Sequence, residues 1–419
     1  MAATSPVSLA EELLKTVKSL EGQGSRLSPQ QAYDATRRVE TLTDKIKRTV
    51  LGPLEYTIQI AESCHESAAL RFVTELGVAD AIGDDVKTLS EISQQAGVGT
   101  LYLGIAMSCL VAHGYFEEVD GFGSRVYKNN AMSNILRAHS DDTFCSAIGF
   151  VCDDSFKAAA HLVETARAGG NKGGKKGKSG ANLAFGFEGP LFEWYSGPAQ
   201  VWRGQRMGRA MQQLHKMANG NVVTDFDWCA LDGPVVDVGG GIGSLEMTVM
   251  KTFPDTAPPF IIFDIAETSA DARKAWSAQP PAAQARVSFA AGDFLASTLE
   301  GTGLPRGQPT YLIRHVLHDW TDDEAVGILS NVRIAMLASN EGARKAHGRP
   351  KLLLCEMLLQ ERSGRFVYTT SVQALALNNG KTRTEAEMVG LLERAGFKVV
   401  KVHAMRAVDS IIEATPAEL

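Results

Sequence analysis

Residues 234 to 243 read Pro-Val-Val-Asp-Val-Gly-Gly-Gly-Ile-Gly, and this stretch limits the possible folds more than any other. A short β-branched strand runs directly into a glycine turn. Gly239, Gly241 and Gly243 let the backbone turn tightly and let a ligand approach with no Cβ in the way. The helix expected next would present free N–H groups to an anionic end. The strand therefore opens an α/β unit with a nucleotide-sized cradle, and Asp237 counts with the three glycines as a candidate cofactor residue. The dinucleotide pattern asks for a further glycine where this chain has Ser244, so a nicotinamide or flavin reading starts with a defect.

From Asp232-Gly233 onward, strand patterns recur at Val235 to Val238, Phe260 to Phe263, Val287 to Ala290, Tyr311 to Val316, Leu352 to Glu356 and Lys398 to Val402. Helical stretches separate them. Such alternation predicts a mainly parallel sheet covered on both faces, with ligands outside the carboxyl ends of the strands. Asp264 closes the second strand, where an acid can accept from a ribose diol, although a helix N-cap is an alternative. Asp293 follows the third strand, where it can accept from an adenine amino group while Phe294 packs on the ring, or simply serve a turn. Three successive strand ends that address one nucleoside are more specific than any one alone, and S-adenosylmethionine fits this loop better than a dinucleotide.

A chain of 419 residues exceeds what one core usually supports, and 44% hydrophobic content suffices for two. The expected division is a helical region over 1–220 and the α/β domain over 221–419. The net charge of −6 argues against nucleic-acid and anionic-membrane partners and for a small-molecule ligand. Cys64, Cys109, Cys145, Cys152, Cys229 and Cys355 lie far apart with no Cys-x-x-Cys pair, so buried free thiols are expected and no metal. No long uncharged apolar run could span a bilayer, and Met-Ala-Ala-Thr-Ser-Pro lacks the regions of a secretory signal, so a cytoplasmic location is expected.

The helical region opens with Ser8 and Glu11 as a capping box ahead of Leu9, Leu13, Val17 and Leu20, and a second helix starts at Ser28-Pro29. Their apolar stripes suit packing on a second subunit or on their own domain. From Thr88 to Asn130 the pattern is helix, turn, helix, hairpin, a winged-helix outline. The second of these helices, from Leu101 to His113, has an almost wholly apolar body without the Arg, Lys, Asn or Gln of a recognition helix, which favours a structural or dimerising role over DNA binding. Residues 169–180 form a glycine and lysine tract that reads as a solvated flexible insertion, with a basic lid as the alternative. Beyond it, Phe185, Phe187, Phe192, Trp194, Tyr195 and Trp202 are core or pocket wall. The candidates for the wall of a flat acceptor's pocket are Phe187, Trp194, Trp202, Met207 and Met211.

Arg-His-Val-Leu-His-Asp-Trp at 314 to 320 gives the strongest catalytic signal. With it the chain resembles the plant caffeate-type and fungal O-methyltransferases that use S-adenosylmethionine. The motifs that carry the resemblance are Asp-Val-Gly-Gly-Gly-Ile-Gly at 237 to 243, Phe-Asp at 263 to 264, Gly-Asp at 292 to 293, His-Asp-Trp at 318 to 320 and Gly-Lys-Thr-Arg-Thr at 380 to 384. The resemblance implies a Rossmann-like, seven-stranded class I methyltransferase domain after a mostly α-helical winged-helix dimerisation domain, and a homodimer. It also implies His318 as general base, Glu356 as its acidic partner, and Arg314 and Trp320 as cofactor contacts. Spacing agrees, since the ends of adjacent strands lie about 4.8 Å apart and a carboxylate on one imidazole nitrogen leaves the other free to take a proton. One position departs from the family, which commonly has a second glutamate where this chain has Thr382. Either Glu356 suffices, or Asp319 or Glu385 compensates, or the base is weakened.

The expected activity is methyl transfer to a hydroxyl of a bulky, aromatic secondary metabolite. The competing readings are a non-catalytic S-adenosylmethionine-binding regulator, which has no reason to keep both His318 and Glu356, and a nicotinamide oxidoreductase, which Ser244 disfavours.

Overall fold

The computed structural model describes residues 5–23, 27–170, 177–338, 349–361 and 363–417. Contacts divide the chain into two compact units, Met1–Asp153 and Asp154–Leu419. The division falls well before the expected 220/221 boundary. The reason lies in packing: the helix Gly180–Phe185 sits against Phe156–Ala160 and Arg365–Asn378, and the helix Val201–Asp225 packs on Ser244–Thr252. Residues 154–220 are thus built onto the α/β unit.

In the first unit the helix Pro6–Gln23 is capped by Ser5, whose Oγ accepts from the Ser8 N–H at 3.2 Å, so the cap lies three residues before the expected Ser8. The helix Pro29–Glu75 starts as expected, with Ser28 and Gln31 forming a reciprocal capping box and Pro29 in the first turn. It breaks at Gly52, where φ is 72° and Pro53 follows. The winged outline is present. Helices Leu89–Ala96 and Thr100–Ala112 precede the hairpin of β2 (Phe116–Glu118) and β3 (Val126–Asn129), and β1 (Lys87–Thr88) completes an antiparallel sheet in the order β1-β3-β2. Ile92, Leu103, Met107, Phe116 and Tyr127 form its core, while Leu101, Tyr102 and Ile105 on the helix Thr100–Ala112 stay exposed.

In the second unit the sheet follows β4 (Val235–Val238), β5 (Phe260–Asp264), β6 (Val287–Ala291), β7 (Thr310–Arg314), β8 (Lys351–Leu359), β9 (Arg383–Thr384), β10 (Phe397–Ala404) and β11 (Asp409–Pro416). The main path is β10-β11-β8-β7-β4-β5-β6, seven strands, with β9 paired on the end of β8. β8, β7, β4, β5 and β6 are parallel, and β11 inserts antiparallel between β8 and β10. The sequence pattern anticipated six of these strands and missed β9 and β11. Alternation sorts the strand side chains: Val236, Val238, Ile313 and Leu354 face a core with the helices Asp322–Leu337 and Glu385–Arg394, whereas Val235, Ile262, Leu312 and Leu353 face Val222, Leu245, Val249 and Trp276. These strand residues are fully buried, so cutting one of the leucines to alanine costs about 2–5 kcal/mol. The chain leaves β4 for β5 and β6 on one side and then crosses to β7 and β8 on the other. That reversal puts the ends of β4 and β7 side by side at a topological switch point.

The described cysteines are all free thiols, but only Cys152 and Cys355 are buried and Cys229 is exposed. No single helix among the described residues is long and apolar enough to cross a membrane.

Candidate active site

The glycine loop after β4 is held by contacts that exclude a side chain. Gly239, Gly241 and Gly243 have φ of 77°, 60° and 78°, the left-handed region that glycine enters without penalty. A Cβ at Gly239 would lie 2.7 Å from Val316 Cγ2, and one at Gly243 would lie 2.3 Å from Ile262 Cδ1. At Gly241 a Cβ would meet nothing within 4 Å, so this part of the loop faces open space, as a cradle must. The helix Ser244–Thr252 starts directly behind it.

Asp264, the last residue of β5, closes the loop from the next strand. Its Oδ2 accepts from the Gly241 N–H at 2.9 Å and its Oδ1 from the Ile265 N–H at 2.8 Å. A carboxylate has about four acceptor sites, so capacity remains for a ligand hydroxyl. Asp293 is exposed, and its Oδ1 accepts from the Leu295 N–H at 2.8 Å, the turn arrangement that the sequence left open. Phe294 meets Trp320 edge to face, with centroids 5.9 Å apart, and also borders Gly239. The structure thus brings Phe294, Trp320 and the glycine loop together.

Asp237 and Arg314 lie behind the loop rather than on its open side. Both are buried, and Arg314 approaches Asp409 at 3.4 Å with its Nε unpartnered among the described residues. Burial and the facing Glu246 push Asp237 well above the usual carboxylate range, and burial raises Glu246 too. Both shifts favour the protonated acid over two facing buried charges. Nothing in the sequence marked Glu246, because a lone glutamate in a helix reads as a solvated face.

His318 sits in the turn Leu317–Asp319 after β7, and Glu356 on β8. His318 Nδ1 lies 3.0 Å from Glu356 Oε2, while Glu356 Oε1 accepts from the backbone N–H groups of Val316 at 3.0 Å and Leu317 at 2.9 Å. The expected meeting of these two side chains is found. On the other side, Asp319 Oδ1 lies 3.8 Å from His318 Nε2. Burial would lower the His318 pKa, but Asp319 and Glu356 outweigh it and push it up to about 9. Glu356 is held below the ordinary carboxylate range: burial opposes this, and His318 overcomes it.

The segment 380–384 fixes the His318 turn in place. Lys381 N–H donates to His318 O at 2.8 Å, and the buried Arg383 donates to Leu317 O at 2.7 Å, Trp320 O at 2.8 Å and Asp322 Oδ1 at 2.9 Å. A Cβ at Gly380 would come within 2.0 Å of His318 O. Thr382 is buried, and its Oγ1 has no hydrogen-bond partner among the described residues. The carboxylate beside the imidazole opposite Glu356 is therefore Asp319, one of the two alternatives weighed for the missing glutamate.

The structure gathers the aromatic candidates into their own cluster. Phe187 stacks on Trp194 with centroids 4.4 Å apart, and the Arg203 guanidinium lies over Phe185 and Trp202 at 4.7 and 4.4 Å. Arg203 and Arg206 both pair with the buried Asp154. Phe187 is buried in the stack, Trp194 partly so, and Trp202 is half exposed. Met207 and Met211 are partly buried on the helix Val201–Asp225. Residues 171–176 of the glycine and lysine tract lie outside the described residues. Its end is packed: a Cβ at Gly180 would lie 2.3 Å from Ala158 O, and Asn379 donates to Gly177 O at 2.8 Å.

Fold and site together define a Rossmann-like enzyme in which a nucleoside-sized loop and a His–Glu couple share one switch point. Residues 165–398 match the O-methyltransferase domain, and residues 58–138 match the O-methyltransferase dimerisation domain. The first match covers more than half of the chain, which belongs to the O-methyltransferase family. Across 96% of its length the chain is 26% identical to the O-methyltransferase tpcA of Aspergillus fumigatus, 92% of which is covered. The structure of human N-acetylserotonin methyltransferase in complex with S-adenosylmethionine is similar, with a TM-score of 0.70, 22% identity and 88% of this chain and 99% of that one covered. So is an O-methyltransferase from neocarzinostatin biosynthesis bound to S-adenosylmethionine and 2-hydroxy-5-methyl naphthoic acid, at a TM-score of 0.65 and 24% identity over 84% of this chain and 95% of that one. The chain is an O-methyltransferase and S-adenosylmethionine is its cofactor, in agreement with what the motifs implied.

Proposed function

We propose that this enzyme methylates a hydroxyl of a bulky aromatic secondary metabolite, with His318 removing the proton as the oxygen attacks. S-adenosylmethionine supplies a methyl group already activated by a positive sulfur. What remains for the protein is to position two reactants and to accept one proton. The observation that carries this reading is the 3.0 Å approach of Glu356 Oε2 to His318 Nδ1, which holds the hydrogen on that nitrogen and leaves Nε2 to act as base.

Gly239, Gly241 and Gly243 receive the cofactor, Asp264 accepts from its ribose, and Asp293 and Phe294 address the adenine, with Trp320 against Phe294. Asp237 and Arg314 support the loop from behind through Glu246 and Asp409. Phe187, Trp194, Trp202, Met207 and Met211 are proposed for the acceptor's side. His318 is protonated near neutrality in the free enzyme, and its pKa would be lowered by the positive charge of the bound donor, which would ready the base.

A homodimer is proposed on two grounds: the dimerisation domain at residues 58–138, and the exposed Leu101, Tyr102 and Ile105 within it.

The test is calorimetric titration with S-adenosylhomocysteine, followed by assay of hydroxylated aromatics with wild type and His318→Ala. Binding by both proteins, with turnover lost only in the variant, is expected. A variant as fast as wild type overturns the assignment of the base.

A further inference from the structure

Three imidazoles stand in a row at the switch point, and the reading above uses only His318. His215 Nε2 lies 3.0 Å from His315 Nδ1, and His315 Nε2 lies 2.8 Å from Asp409 Oδ1. The ring centroids of His215 and His315 are 5.1 Å apart, and those of His315 and His318 are 5.9 Å apart. Three distant segments supply the chain: the helix Val201–Asp225, the turn after β7, and the first residue of β11. His315 joins it from a left-handed backbone with φ of 53°, a conformation that a non-glycine residue keeps only where its surroundings enforce it.

The chain of hydrogen bonds has a direction. Asp409 is buried; burial opposes ionisation, but His315 and Arg314 hold its carboxyl far below the usual range, so it is ionised and only accepts. His315 Nε2 therefore carries the hydrogen. Across the 3.0 Å contact one of His315 Nδ1 and His215 Nε2 donates and the other accepts. Burial first, and Arg314 next, push the His215 pKa well below its ordinary value, which leaves the ring neutral; its other nitrogen is Nδ1. That nitrogen has no hydrogen-bond partner among the described residues, and the ring is only partly buried. Met207, Met211 and His215 follow one another at intervals of four on the same helix, so Nδ1 stands at the end of an apolar stripe.

We propose that His215 Nε2 donates to His315 Nδ1 and that the bare His215 Nδ1 accepts a hydrogen bond from a second O–H or N–H of the acceptor molecule. His315 and Asp409 are positioning residues that fix the His215 tautomer. The acceptor class is an aromatic with two neighbouring donors, of which one is methylated at His318 and the other is recognised. This inference rests on the methyl-transfer reading of the same site.

The experiment compares kcat/KM for matched aromatic acceptors, dihydroxylated against monohydroxylated, in wild type and His215→Leu. A neutral hydrogen bond is expected to give wild type a preference of roughly 10-fold for the dihydroxylated member. The variant is expected to lose it through KM on that member while kcat stays within about twofold. His215→Gln, which keeps a donor toward His315, replaces the leucine variant if that one does not fold, with the same loss expected. Long-range nitrogen NMR of histidine-labelled wild type is expected to show the His215 hydrogen on Nε2. Failure to bind S-adenosylhomocysteine overturns the methyl-transfer reading and this one with it. A wild type that binds and methylates, but carries the His215 hydrogen on Nδ1 or keeps its preference in the variants, overturns this one alone.

Discussion

Glu356 holds the ring of His318 and the turn that carries it with one carboxylate: Oε2 lies 3.0 Å from His318 Nδ1, and Oε1 accepts from the Val316 and Leu317 N–H groups. The imidazole and the backbone that aims it are thus set by the same buried group. Charge-assisted bonds of this kind are each worth about 1.5–3 kcal/mol.

His318→Ala is expected to bind S-adenosylhomocysteine as tightly as wild type and to lose about 10² to 10⁴ in kcat. Calorimetry and single-turnover methylation measure the two separately.

The pH profile follows from the sign of the His318 shift. With the pKa raised from 6.5 to about 9, the His318 ring is an imidazolium at neutrality, and the proposed base is its deprotonated form. kcat/KM should rise with pH toward about 9. Glu356→Gln, which cannot stabilise an imidazolium by charge, should move that limb to lower pH. For stability the sign reverses. The contribution of His318 is fully present below 6.5 and lost as pH climbs through about 9, so thermal midpoints measured across that window should fall.

Asp264→Ala removes the acceptor for the Gly241 N–H as well as the proposed ribose contact. Affinity for S-adenosylhomocysteine should fall by about 10-fold or more, equivalent to losing at least one charged hydrogen bond. Unchanged affinity would place the ribose elsewhere.

Gly380→Ala puts a methyl within 2.0 Å of His318 O, so the turn must shift. Turnover should drop while cofactor binding holds, because the glycine loop is on a different strand. A displacement of 1 Å at a reacting group can cost about 10²-fold.

Thr382→Val removes a buried hydroxyl that has no partner among the described residues. Turnover should be unchanged and stability equal or higher by about 1 kcal/mol, read as a thermal midpoint. A large loss of activity would show that Thr382 does act on the base.

Much of the second unit was legible in the chain. Four residues of β4 with a glycine turn, strands at regular intervals, and His-Asp-Trp after β7 are local patterns whose consequences are local, and their periodicity survives folding. β11 escaped notice because eight residues of mixed character, Asp-Ser-Ile-Ile-Glu-Ala-Thr-Pro, show a strand only once β8 and β10 flank them. With it went Asp409, whose role depends on facing His315 across 94 residues of chain. The burial of Asp237 beside Glu246, the grip of Arg383 on the His318 turn and the reach of His215 to His315 belong to the same class. The sequence alone determined which residue types could bind a nucleoside and which histidine had a carboxylate one strand away. The tertiary structure decided which charges are buried, that Asp319 faces the His318 ring opposite Glu356, and which imidazole nitrogens face one another or a carboxylate. Those depend on desolvation and on contacts between distant segments, and no spacing along a chain encodes either.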